Sequence, residues 1–402
     1  MSKPFLAVTA AALLLLGACS GDGGEADDNA SEPIVVGISL PLTGDFSEPG
    51  KGVQQGYQAW AKIVNDKGGL LGRQVELKIL DDQSNADRVV ADYEQLIGKD
   101  QVDLVVGPFS TRLVVPSARV AEEYDMLFVE PAGAAKEVFE QGFKNLFYAA
   151  PAVAGDHYNY LAEHILALPA DKRPKTIAVA AMDDPFAQGT AYGLRDKLKA
   201  GGLTVLVDEV YPPNTTDFGQ IAAKIAASKA DVLIGGSQYQ DGVNLIVALQ
   251  QLKYQPKLAA FSTAPTEPEF AKAIGNKTQG VLSPTGYSQD APYPSNKEFV
   301  EKYTAQFGTA PEEDQANAYT TGQVVEAAVK AAGCAEQGAC QQKLIDYVRA
   351  NKIETVVGPL SWDATGKPQG AHMIQQWVGG EIKIVLPADA KEAEFIYPKP
   401  AW

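Results

Sequence analysis

Few side chains in this sequence are arranged for making or breaking bonds. His157 and His164 stand seven residues apart on one predicted helix and can share a face, yet no cysteine or close acidic partner completes a metal-ligand set. Asp81-Asp82 and Asp183-Asp184 each follow a predicted strand, where adjacent side chains point to opposite faces. Helix capping suits such pairs better than a shared-proton dyad. No Gly-x-Ser-x-Gly elbow, phosphate loop or His-Glu-x-x-His motif occurs. The expectation is a protein that is not an enzyme and takes no metal or cofactor.

Material for binding does collect at predicted strand ends. Pro41-Leu42-Thr43-Gly44-Asp45-Phe46 follows the first strand, and Gly107-Pro108-Phe109-Ser110-Thr111 follows the third and runs into a helix. Hydroxyls at Ser110 and Thr111 beside the first N–H groups of that helix would make a seat for a carboxylate or other anion. Glu130-Pro131-Ala132-Gly133-Ala134 is a second turn of this kind, and Phe46, Phe109 and Phe186 can supply apolar walls. As a set converging on one cleft, these segments point to a small-molecule site.

The elements that must hold these loops are legible from periodicity. Residues 34–40 form an apolar strand between Pro33 and Pro41, and Val53, Tyr57, Trp60 and Val64 draw one stripe along the helix that follows. Gly68-Gly69 ends that helix, residues 74–80 form the next strand, and Val89, Tyr93, Leu96 and Ile97 mark a second helix. The run 102–106 is apolar throughout, as a strand covered on both faces requires. The same order returns at 176–181, 203–210 and 230–235, about 130 residues later. Short connections between alternating strands and helices predict parallel sheets with helices on both faces, in two copies. Residues 298–307, 315–332 and 341–351 read as helices, and 373–378 and 382–386 as strands around Gly379-Gly380.

Composition sets the setting. The chain has 402 residues and a formal net charge of −16, a poor match for nucleic acid, whose phosphates demand clustered cations. Residues 1–18 combine an early lysine, a short apolar stretch and small residues, the pattern of an export signal. Leu16-Gly17-Ala18-Cys19 resembles the bacterial lipobox, which implies acylation of Cys19 and anchoring to a membrane. Residues 19–32 read as the acylated cysteine and a solvated tether. An extracytoplasmic, oxidising location favours a local disulfide between Cys334 and Cys340.

Further segments extend this pattern in order along the chain: Val64-Asn65-Asp66-Lys67-Gly68-Gly69-Leu70-Leu71-Gly72, Leu80-Asp81-Asp82 and Val356-Val357-Gly358-Pro359-Leu360-Ser361-Trp362-Asp363. With the three strand-end loops, they resemble the branched-chain amino acid family of extracytoplasmic solute-binding proteins, the type I periplasmic binding proteins of ABC importers. The resemblance implies an α/β fold of two Rossmann-like lobes joined by a three-stranded hinge, crossing near Ala150, Ser283 and Gly358. The lobes would then be 33–150 plus 284–358 and 151–283 plus 359–402.

By position, Ser110 and Thr111 would hold the ligand carboxylate with N–H groups from Ala132 and Ala134 in the turn around Gly133. Phe186 would lie over the ligand, and Ser237-Gln238-Tyr239 would close from the second lobe. The family often has a hydroxyl near Ala134 and an acid where Ser262-Thr263-Ala264 stands here, with Glu267 the nearest acid. Glu130 and Asp183 are therefore the candidates to grip an ammonium group. An amino acid, an aromatic acid or an amide-like solute fits this pattern. The partners implied are ABC importer permease subunits and, through the lipid anchor, the membrane; the chain would act as a monomer. The alternatives are a ligand sensor for a membrane receptor and a lipid-anchored hydrolase with Asp183 or Glu130 as base.

Overall fold

The computed structural model describes residues 32–267, 269–275, 277–388 and 390–402. The expectations for an export signal, an acylated Cys19 and a tether lie outside the described residues. Among these, no helix is long and apolar enough to cross a membrane.

The first sheet contains β1 (Ile34–Leu40), β2 (Val75–Asp81), β3 (Leu104–Val106), β4 (Phe128–Glu130) and β5 (Leu146–Tyr148), all parallel, in the order β2-β1-β3-β4-β5. The second contains β6 (Thr176–Met182), β7 (Thr204–Tyr211), β8 (Val232–Gly236), β9 (Leu258–Phe261) and β10 (Val281–Thr285). β11 (Ile353–Thr355) and β12 (Gly358–Leu360) make a small antiparallel pair, and β13 (Met373–Val378) and β14 (Glu381–Leu386) return to the second sheet. That sheet runs β14-β13-β10-β9-β8-β6-β7, with only β13 and β14 antiparallel to their neighbours. The shared order of the first five strands in each sheet is the repeat seen in the sequence.

Helices cover both faces of each sheet because each presents one apolar stripe. The helix Ser47–Asp66 buries Val53, Tyr57, Trp60 and Val64 against β1 and against the helix Glu313–Ala332. A Cβ at Gly322 would lie 2.3 Å from the Trp60 ring, so a residue without a side chain is what lets these helices approach. Tyr57 and Trp60 are fully buried in the core that this contact helps to build.

The chain passes between the lobes three times. It leaves the first sheet after β5 and returns after β10, which stays paired with β13 as far as Thr285, so the second passage lies just beyond the expected Ser283. The third passage differs more. Val356, Val357, Leu360 and Trp362 all join the core of the first lobe. Trp362 packs edge-on against Phe147 at 5.7 Å and donates from Nε1 to the Tyr148 carbonyl at 2.7 Å. Tyr148 N–H in turn donates to the Gly366 carbonyl at 3.3 Å. Residues 353–367 therefore complete the first lobe, and the boundary expected at 358/359 moves to about 368–372. Near these passages the buried His157 ring stacks on His372 at 3.9 Å, and His372 Nε2 meets Glu313 at 3.2 Å.

Cys334 and Cys340 form a disulfide between the helices Glu313–Ala332 and Ala339–Ala350. Closing so short a loop is expected to add only about 2 kcal/mol. Reduction should thus lower the urea midpoint modestly without unfolding the chain, measured with and without reductant.

Candidate functional site

The carboxyl ends of the strands bring the expected loops together. After β1, the Pro41–Phe46 segment is strapped to the end of β2. Asp81 accepts from the N–H groups of Gln83 (3.0 Å), Leu42 (3.0 Å) and Thr43 (3.2 Å) and from the Thr43 hydroxyl (2.8 Å), and these bonds, that of Gln83 foremost, hold its carboxyl below the usual range against the pull of burial. Ser84 adds a bond from its hydroxyl to the Thr43 carbonyl at 2.8 Å. The acid pair at 81–82 thus positions a loop, and the cap of the next helix is Asn85; Asp184, in contrast, does cap the helix Pro185–Ala200. The strapped loop presents Phe46, edge-on to Phe109 at 5.9 Å.

Phe109 leads to Ser110, whose extended backbone opens the helix Thr111–Glu123. Its side chain caps none of the helix N–H groups, and its buried Oγ has no hydrogen-bond partner among the described residues. Thr111 donates from Oγ1 to the Ala132 carbonyl at 3.4 Å, joining the loops after β3 and β4. The first N–H groups of a helix have no partner within it, so an orphan hydroxyl beside them makes a polar seat at the carboxyl end of β3.

The loop after β4 departs from expectation. Ala132 and Gly133 N–H groups both donate to Glu130 Oε2, at 2.7 and 2.5 Å. They are turned inward onto this carboxyl, so the Ala132 N–H is not offered to a ligand. Glu130 is wholly buried and its Oε1 has no partner among the described residues. Burial pushes its carboxyl up to about 8, against the pull of the two N–H groups. Enclosed in this way, Glu130 holds the turn at 131–133 through the turn's own N–H groups and carries a proton at neutral pH in the unliganded chain. The Ala134 carbonyl accepts from Ala154 N–H at 2.7 Å, joining this loop to the start of the second lobe.

The second lobe supplies the facing wall. Phe186, two residues after the capping Asp184, packs on the apolar cluster of the first lobe that also holds Phe46, and meets His157 edge-on at 5.9 Å. Asp183 is exposed and accepts from Gln188 at 3.1 Å. After β8, the buried Ser237 Oγ has no partner among the described residues, while its N–H donates to Ser262 Oγ at 2.7 Å. Tyr239 begins the helix Tyr239–Gln251 and is half-buried near Glu267 and Glu269.

Arg112 and Glu312, both near the lobe interface, carry no local signal in the sequence. Arg112, next to Thr111, crosses to the second lobe. Glu312, at the start of the helix Glu313–Ala332, lies close enough to Glu267 for the two carboxyls to act on each other. Burial and these neighbours push the Glu312 carboxyl up to about 8 and that of Asp314 well above its ordinary value. Among the described residues, no group of three or more His, Cys, Asp or Glu side chains is placed to hold a metal ion.

Two doubly wound lobes with loops gathered at facing strand ends place the molecule in a known structural class, and a sequence profile for periplasmic binding proteins matches residues 33–382, across both sheets. The chain belongs to the periplasmic binding protein family. This is a family of extracytoplasmic solute-binding proteins and not of enzymes. This places the hydrolase alternative outside the family.

The Leu/Ile/Val-binding protein BraC3 of Rhizobium johnstonii is 27% identical over 355 residues, covering 88% of this chain and 94% of that one. An amino acid binding protein of Pseudomonas aeruginosa is 26% identical over 360 residues, covering 87% and 91%. Among solved structures, the leucine binding protein LivK of Thermotoga maritima matches this periplasmic binding protein with a TM-score of 0.76 at 20% identity, covering 88% and 98%. A solute binding protein of R. palustris in complex with benzoate matches with a TM-score of 0.76 at 18% identity, covering 92% and 98%.

Proposed function

We propose that this periplasmic binding protein captures a small carboxylate-bearing solute, an amino acid or an aromatic acid, between its lobes and delivers it to the permease subunits of an ABC importer. In this reading it works as a monomer, held at the membrane by acylated Cys19. The observation that carries the reading is the orphan Ser110 hydroxyl at the start of the helix Thr111–Glu123, a buried donor set beside N–H groups at the carboxyl end of β3. The solute carboxylate would sit there, and its apolar part would lie against Phe46, Phe109 and Phe186. The relatives named for leucine, isoleucine and valine and the benzoate complex share the carboxylate and differ in the remainder, which supports assigning the carboxylate to this seat.

With Glu130 neutral, an amino acid's ammonium group would fall to the second lobe, where Asp183 is the exposed acid and Ser237 and Tyr239 close the wall. Calorimetry against a panel of amino acids, aromatic acids and amides tests the reading. Ser110→Ala and Thr111→Ala are each expected to weaken binding by about 1.5–3 kcal/mol, the range for a hydrogen bond to a charged group. A ligand at about 100 times its dissociation constant should stabilise the chain by about 2.7 kcal/mol. Binding unaffected in both variants would rule out the seat.

A further inference from the structure

Arg112 is the second residue of the helix Thr111–Glu123, one step beyond the proposed carboxylate seat, yet its side chain leaves the first lobe. Its Nη2 donates to the Asp183 carbonyl at 2.9 Å, and its Nε lies 3.2 Å from Asp184 Oδ2. Asp184 is almost wholly buried, and its other oxygen, Oδ1, accepts from the N–H groups of Phe186 (3.0 Å) and Ala187 (3.1 Å). One carboxylate therefore does two things with separate oxygens. It caps the helix that presents Phe186, and it receives a guanidinium from the opposite lobe.

The planar guanidinium fork matches two acceptors side by side, a carbonyl and a carboxylate, which the single charged point of a lysine does not. Because Arg112 and Asp184 are carried by different lobes, both bonds exist only when the lobes are together. The same contact fixes the strand-to-helix junction from which Phe186 reaches the apolar cluster of the first lobe.

We propose that Arg112 is a positioning residue that clasps the second lobe at Asp183 and Asp184, so that lobe closure and the placing of Phe186 over the cleft occur as one event and bound solute leaves slowly. The clasp itself stands on the geometry above, and its effect on solute release rests on the reading that solute binds in the cleft. The clasp is an ion pair with a partly exposed cation, so salt weakens it.

Solution X-ray scattering of the unliganded chain reads the clasp without any solute. Wild type is expected to expand as salt is raised. Arg112→Met is expected to be expanded already at low salt and to lose the salt response, with Arg112→Lys between them. Asp184→Asn keeps a good helix cap while removing the charge. It should behave like Arg112→Met, and the double variant should be no more open than either single one. Scattering and salt response equal to wild type in Arg112→Met and Asp184→Asn, with both folded by circular dichroism, would overturn the clasp whether or not a solute binds. Conversely, a scattering change alongside an empty calorimetric panel would keep the clasp and remove the solute reading.

With L-leucine or benzoate as the probe, whichever wild type binds, stopped-flow measurements should show dissociation from Arg112→Met about fivefold faster, at an unchanged association rate. A loss confined to association would overturn the effect on retention.

Discussion

Replacing Glu130 by glutamine is expected to leave stability near pH 5 little changed and to raise it by roughly 3–5 kcal/mol above pH 8, at about 1.4 kcal/mol per unit of pKa. In the folded chain burial raises this carboxyl from an ordinary 4.5 to about 8. Between those limits the folded state keeps a proton that the unfolded state has released, so wild-type stability falls as pH rises through the window. Glutamine has the shape of the protonated acid, accepts the same two N–H groups and does not titrate. The other raised acids, Asp82, Asp241, Glu267, Glu312 and Asp314, are common to both proteins and drop out of the difference. Urea unfolding of the two chains at pH 5, 7 and 9 measures it. Parallel profiles would mean that Glu130 is ionised in its buried site.

Trp362→Ala is expected to cost about 3–5 kcal/mol, the range for deleting a large buried aromatic side chain. The ring fills the first core against Phe147, and its N–H satisfies the Tyr148 carbonyl where the chain leaves β5. Trp362→Phe keeps most of the packing and loses that hydrogen bond, so it should cost less, about 1–3 kcal/mol for the carbonyl left unpaired. Denaturant melts of the three chains decide it. A loss below about 1 kcal/mol for the alanine variant would show that residues 353–367 lie outside the cooperative core of the first lobe.

Much of the fold was legible because its signals are local. The stripe at Val53, Tyr57, Trp60 and Val64, the apolar run into β3 and the repeated order ending in β8 each follow from the spacing of neighbouring residues. The short interval between Cys334 and Cys340 is a signal of the same kind. Nothing local says which lobe Trp362 joins, since that depends on a β-pair and a carbonyl elsewhere in the chain, so the boundary expected from the sequence falls about ten residues early. The strand-end loops were identifiable from their residue types, but the direction of their N–H groups was not. Gly133 leaves room for Glu130 to fold back: a Cβ there would stand 2.6 Å from Glu130 Oε1. Arg112 and Asp183 are 71 residues apart, and the Glu267–Glu312 contact spans two lobes, so neither pair leaves a pattern in any window of sequence. Glu312 also completes a capping box with Gln315, which gives its acidity an ordinary local explanation and conceals the contact across the lobes.

The two described ends of the chain are tied to opposite lobes. Ile34 begins β1 in the first sheet, bonded to Gln74, whereas Lys399 donates to the Lys257 carbonyl and Trp402 to that of Tyr254, just before β9 in the second. Both attachments are at the amino-terminal edges of their sheets, opposite the strand ends that carry the loops. Fluorophores fused beside these attachments would ride on opposite lobes, and their energy transfer would turn the molecule into an optical gauge of its own solute.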